Sequence, residues 1–202
     1  MKTYIKFIFS TFLISMLFLQ SCNNNEQNKE QALPTASDEE SIFNLTTKWR
    51  TEEGKEIMLQ DLKGKTLVVV MIYTACRAAC PRLVADMKSI AVQIPKDLKD
   101  NIQYVLISID PTTDTPEVLK EFAITNLMDD EEWTFLQGDD KSVREFANVL
   151  AVKYKRIDPI DFSHSNIISV FDPQGNLVHQ QEGLGVDNKE TIESIIQTSK
   201  GM

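Results

Sequence analysis

The sequence predicts an α/β protein with a central mixed sheet flanked by helices and an N-terminal β-hairpin, in a single domain over residues 41–202. Three observations predict it. Two unbroken apolar, β-branched runs, at 66–73 and 102–109, have the character of strands buried on both faces. A segment with apolar residues at helical spacing follows each run, and strand, helix, strand succession implies parallel pairing through crossovers. Towards the end, two short strands flank Asp172-Pro173-Gln174-Gly175, a turn sequence that makes them antiparallel.

The elements follow in order. Weak alternation over 42–49, a turn at Gly54-Lys55 and a return over 56–59 form the N-terminal hairpin. Residues 60–65 read as a loop, and the run at 66–73 leads straight towards Cys76. From Cys80 onward Leu83, Val84, Met87, Ile90 and Ala91 recur at helical spacing until Pro95. The next helix, 116–127, places Val118, Leu119, Phe122 and Ala123 on one face. Thr115 suits its N-cap, Pro116 its first position and Glu117 its first turn. A strand at 133–136, a helix at 141–150, the hairpin of 166–171 with 176–179, and a helix at 189–199 complete the chain. That succession is the thioredoxin-like order.

The N-terminus has a different character. Lys2 and Lys6 precede an apolar run from Phe7 to Leu19, and a polar tract begins at Asn23. Residues 1–21 read as a signal peptide, because the run is shorter than the roughly 20 residues of a membrane span and is broken by Ser10, Thr11 and Ser15. Cys22, directly after Leu19-Gln20-Ser21, resembles the lipid-bearing cysteine of a bacterial lipoprotein. A plain secreted protein and an uncleaved anchor are the alternatives. Residues 22–40, rich in Asn, Gln and Glu, form a flexible tether. The expected location is therefore outside the cytoplasm, lipid-anchored to a bacterial membrane on its periplasmic or outer face.

Net charge is −9, and about −11 once Lys2 and Lys6 leave with the signal. Nucleic acid is thereby excluded as a partner, since phosphate binding needs a basic face. Three cysteines are too few for a disulfide scaffold. If Cys22 carries lipid, Cys76 and Cys80 are the remaining thiols, and in an oxidising compartment they form a disulfide, bind metal, or do both.

Cys76-Arg77-Ala78-Ala79-Cys80-Pro81 sits where the central strand hands over to a helix. Ligands of open α/β sheets gather beyond the carboxyl ends of the strands, and a helix N-terminus favours thiolate. Three intervening residues put the side chains about one helical turn apart on one face, near enough to share a soft cation such as copper(I) or zinc. A passive disulfide or two buried thiols is the bland alternative, and Arg77 is expected to face solvent. Two histidines exist, His164 before a strand and His179 at the end of the next. Spacing alone brings neither to the cysteines, and His179 is expected to be structural.

The segments Tyr73-Thr74-Ala75-Cys76 with Cys80-Pro81, Ser108-Ile109-Asp110-Pro111 with Asp114-Thr115-Pro116-Glu117, and Ser163-His164-Ser165 ahead of Phe171-Asp172-Pro173 together resemble the Sco/SenC family, over roughly 41–199. The resemblance implies one copper ion held by Cys76, Cys80 and His164. It also implies a metallochaperone for a cytochrome c oxidase copper centre, with the copper-bearing subunit or another copper or thiol protein as partner. A carrier rather than an enzyme is expected; the alternative is an exported thiol-disulfide oxidoreductase using Cys76 and Cys80 as its redox pair. Two departures stand out. Arg77 replaces the family's proline after the first cysteine, and Ser163 replaces an aspartate before the histidine. Asp161 is the nearest carboxylate to stand in for it, and Asp110 is expected to be structural, with support of the site from behind or contact with a partner as the alternatives.

Overall fold

The computed structural model describes residues 41–159 and 161–201. The expected signal peptide, Cys22 and the tether lie outside the described residues. Among these residues no helix is long and apolar enough to cross a membrane.

In chain order, β1 (Lys48–Thr51) and β2 (Glu56–Met58) form the N-terminal hairpin, followed by β3 (Thr66–Ile72), α1 (Ala79–Gln93) and β4 (Ile102–Ser108). Then come α2 (Pro116–Thr125), β5 (Trp133–Gln137), α3 (Asp140–Val149), β6 (Tyr154–Arg156), β7 (Phe162–His164), β8 (Ile167–Phe171), β9 (Leu177–Glu182) and α4 (Lys189–Lys200). Seven strands make one mixed sheet in the order β2-β1-β5-β4-β3-β8-β9. β3, β4 and β5 are parallel, while β8 runs antiparallel to β3, and β1 antiparallel to β5. The hairpin thus extends the main sheet rather than standing apart from it.

β3 and β4 are buried at every position, as their uninterrupted apolar runs require of strands covered on both faces. α2 packs against β5, and α4 against β3, β8, β9 and α1. On α3, Phe146 meets Trp49 of β1 edge to face at 5.9 Å between centroids. Gly138 makes that approach feasible, since a Cβ there would lie 2.6 Å from the Trp49 ring.

Three readings of the sequence need correction. The alternation at 42–49 is strand only from Lys48; Ile42–Asn44 is a 3-10 turn. Ile42 and Phe43 are consecutive and both buried, which a period-two strand against one core cannot accommodate. Ser41 Oγ instead caps the Phe43 N–H at 3.2 Å, and the Ile42 N–H donates to the Gly175 carbonyl at 2.9 Å. Within the loop expected at 60–65, Leu59–Leu62 is a second 3-10 turn, with the Met58 N–H donating to Asp61 at 2.8 Å. Finally, β6 and β7 form a separate two-stranded antiparallel ribbon for which the sequence offers no signal. Each strand has three residues, and Tyr154-Lys155-Arg156 carries no apolar pattern to reveal it.

Candidate metal centre

The site forms where β3 ends. Tyr73 is still buried, the chain turns with the Cys76 N–H donating to the Tyr73 carbonyl at 3.3 Å, and α1 begins at Ala79. Ala78, the residue preceding α1, has no side-chain acceptor with which to cap the helix. The free Cys80 N–H donates instead to Cys76 Sγ at 3.2 Å, so the sulfur takes the place of a capping oxygen. Pro81 follows within the first turn, where a missing N–H breaks no helical bond.

Cys80 is buried on the inner face of α1, Cys76 is half-buried, and both are free thiols. The two sulfurs differ in acidity. Burial works against the Cys76 thiolate, but hydrogen bonding from Cys80, through its N–H at 3.2 Å and its thiol, and from the Ala78 N–H more than offsets it, and the pKa falls below that of an ordinary thiol. Burial pushes the Cys80 thiol well up, and the charges of Cys76 and Asp114 add to the effect.

His164 arrives from the ribbon, at the end of β7 opposite Tyr154. Its Nε2 stands 3.7 Å from Cys80 Sγ. Nδ1 lies 3.0 Å from the Ser165 carbonyl. A carbonyl only accepts, so Nδ1 carries the proton and Nε2 turns its lone pair towards the sulfurs. Burial lowers the imidazole pKa, which keeps this neutral form at neutral pH. The donor atoms of Cys76, Cys80 and His164 all lie within 4.8 Å of one another, the spread expected of side chains able to share one ion. Two thiols and an imidazole, with no carboxylate in the set, suit a soft cation rather than magnesium or calcium.

The surroundings correct one expectation. Asp161 does not orient the imidazole, whose Nδ1 is held by Ser165; its carboxylate accepts from the Tyr73 hydroxyl and, at 3.0 Å, from the Phe162 N–H. Arg77 is exposed, as expected. Asp110 is buried and accepts from Arg156 of β6 at 2.6 Å, while the Arg156 guanidinium lies 4.3 Å from the centroid of Phe162. His179 lies 2.9 Å from Thr191 Oγ1, which in turn donates to Gln181, all between β9 and α4 and outside the metal set.

Asp114 stands in the sequence only as a member of a family motif beside a helix start, with no role assigned to it, yet it supports the site. Its buried carboxylate accepts from the Thr74 N–H at 3.2 Å, from the Thr74 hydroxyl, and from Ser108 Oγ at 2.6 Å. It therefore ties the ends of β3 and β4 beneath the cysteine loop. Burial raises its pKa in spite of those donors.

Compared with known proteins, residues 32–200 match the family described as SCO1/SenC. The chain belongs to the SCO1/SenC family. A relative named SCO1 protein homolog, from Bacillus subtilis (strain 168), is 27% identical over 139 residues, covering 67% of this chain and 72% of the relative. Among solved structures, a SCO1/SenC family lipoprotein from Bacillus anthracis has a TM-score of 0.69 at 24% identity, over 78% of this chain and 96% of that one. Arabidopsis thaliana ScoI with copper bound has a TM-score of 0.65 at 19% identity, over 77% and 97%. These Sco structures share the thioredoxin-like fold expected from the order of elements.

Proposed function

We propose that this SCO1/SenC chain is a copper-binding metallochaperone for the copper centre of a respiratory cytochrome c oxidase. Cys76, Cys80 and His164 hold the ion as cargo. The observation that carries the reading is the convergence of two thiols and one imidazole within 4.8 Å. Family membership and the copper-bound ScoI relative support copper over zinc.

A carrier needs a site that holds its ion and still releases it. Cys80 and His164 hold it from the inside, and half-buried Cys76 leaves one side open to a ligand of the receiving protein. That protein is the copper-bearing oxidase subunit or another copper or thiol protein. The domain of 41–202 works outside the cytoplasm, joined through the tether of 22–40 to a lipid on Cys22 after removal of 1–21. The Bacillus anthracis lipoprotein relative supports that anchor.

The contrast between the thiols favours a second reading, an exported thiol-disulfide oxidoreductase. Cys76, half-exposed and with the lower pKa, would attack a substrate disulfide, and buried Cys80 would then close on Cys76 and release the reduced substrate. Copper(I) titration of the reduced full chain separates the two. The carrier reading expects about one ion per chain and none in Cys76→Ser; stoichiometric binding retained in that variant would sink the ligand assignment. His164→Ala is expected to impair copper binding while leaving thiol exchange intact.

A further inference from the structure

His164 does not reach the cysteines from the seven-stranded sheet. It stands on the β6–β7 ribbon, whose strands pair with each other, so its distance from the sulfurs depends on how the ribbon is fastened to the end of β3. The fastening is centred on Tyr73. This buried residue directly follows β3, and its hydroxyl donates to the Asp161 carboxylate and accepts from the Phe162 N–H at 3.3 Å. Its ring packs against Phe162 at 5.1 Å between centroids and meets the His164 imidazole edge to face at 5.8 Å and 81°. One side chain thus touches the residue that begins β7, the residue before it, and the histidine that ends it.

We propose that Tyr73 is a positioning residue for the metal centre: through Asp161 and the Phe162 N–H, its hydroxyl fixes β7 against β3 and so sets where His164 Nε2 stands relative to the two sulfurs. The proposal rests on the ligand assignment above. Polar fastening of this kind matters because a metal site depends on its donors being held to within about 0.5 Å. With no carboxylate directly before the histidine, orientation of the ribbon falls to a carboxylate two residues further back, engaged by the strand that carries the cysteines.

Tyr73→Phe keeps the ring contacts and removes only the hydroxyl. Asp161 is exposed and regains water as a partner, and the Phe162 N–H retains its bond to Asp161 at 3.0 Å, so the fold is expected to survive. Copper(I) affinity of the reduced full chain is measured by competition with a chromophoric copper(I) chelator, in wild type, Tyr73→Phe, His164→Ala and the double variant. The expected result is about a tenfold loss for Tyr73→Phe, the order a charge-assisted hydrogen bond supplies. The metal-free melting temperature is expected to stay within about 2 °C of wild type. Asp161→Ala should reproduce the loss and Asp161→Asn, which keeps an acceptor, should restore most of it. In the His164→Ala background Tyr73→Phe should change nothing further, because Tyr73 acts through the histidine.

Wild-type affinity in Tyr73→Phe, with His164→Ala weakened, overturns the proposal and leaves the ligand assignment standing. A loss that persists in the His164→Ala background also overturns it, since the hydroxyl would then act on the site by a route other than the histidine. Wild-type affinity in His164→Ala overturns the ligand assignment, and the proposal with it.

Discussion

Cys76 and Cys80 are chemically identical groups four residues apart, and their surroundings make them unequal. The Cys76 sulfur is half-buried and accepts from the Cys80 N–H at the start of α1, whereas Cys80 is buried against the core, where burial and the charges of Cys76 and Asp114 oppose its ionisation. Alkylation should expose the contrast. With iodoacetamide at pH 7 in the reduced, metal-free protein, Cys76 is expected to react at least about tenfold faster than Cys80, since rate follows thiolate fraction and access. Peptide mapping by mass spectrometry over a time course measures both sites at once. Equal rates would contradict the asymmetry. Asp114 illustrates a role that its neighbours in sequence conceal. Thr115 and Pro116 account fully for the start of α2, with Thr115 Oγ1 capping Val118 at 3.4 Å, so nothing local suggests that the preceding carboxylate faces Thr74, 40 residues away.

The secondary elements divide by how strongly their residues announce them. β3, β4 and α1 are long and uniformly patterned, and the sequence places them within a residue or two. The β6–β7 ribbon has neither length nor pattern. Pairing between strands, the Asp110–Arg156 ion pair and the Tyr73 contacts hold it in place. Arg156→Met tests the ion pair. It strands the buried Asp110 carboxylate without its partner, and because Arg156 itself is partly exposed the expected loss is about 1–3 kcal/mol rather than the full cost of breaking a buried pair. Urea unfolding measures the loss, and faster amide exchange concentrated in 154–164 would locate it in the ribbon. An unchanged urea midpoint would show that the ribbon is held without this pair.

At the scale of the whole molecule, the metal centre joins parts of the chain that are far apart. Cys80 and His164 are separated by 84 residues, and they come from a helix of the main α/β layer and from the ribbon respectively. An ion held by both stabilises the folded state and has no comparable site in the unfolded chain. With copper(I) buffered about 100-fold above the dissociation constant, linkage gives about 2.7 kcal/mol, which for a domain of this size raises the melting temperature by about 5–10 °C. Calorimetry of the full chain with and without copper(I) reads the shift directly. Cys80→Ser is expected to abolish it, and an unaltered shift in that variant would place the ion elsewhere.

Local chemistry makes much of this protein readable without coordinates. Apolar periodicity marks the buried strands and helices because each depends on neighbours within a few residues, and the Cys76–Cys80 spacing keeps two thiols close for the same reason, although Cys76 lies in the turn before α1 and not on the helix. The motifs that mark the SCO1/SenC family add His164 by resemblance. Folding alone decides the rest: that His164 Nε2 turns to the sulfurs, that Ser165 and not Asp161 orients the imidazole, and that Tyr73 reaches Asp161 across 88 residues of chain. These are contacts between segments remote in sequence. Their partners are chosen by the packing of the ribbon on the sheet, and that packing leaves no periodic trace in the order of the residues.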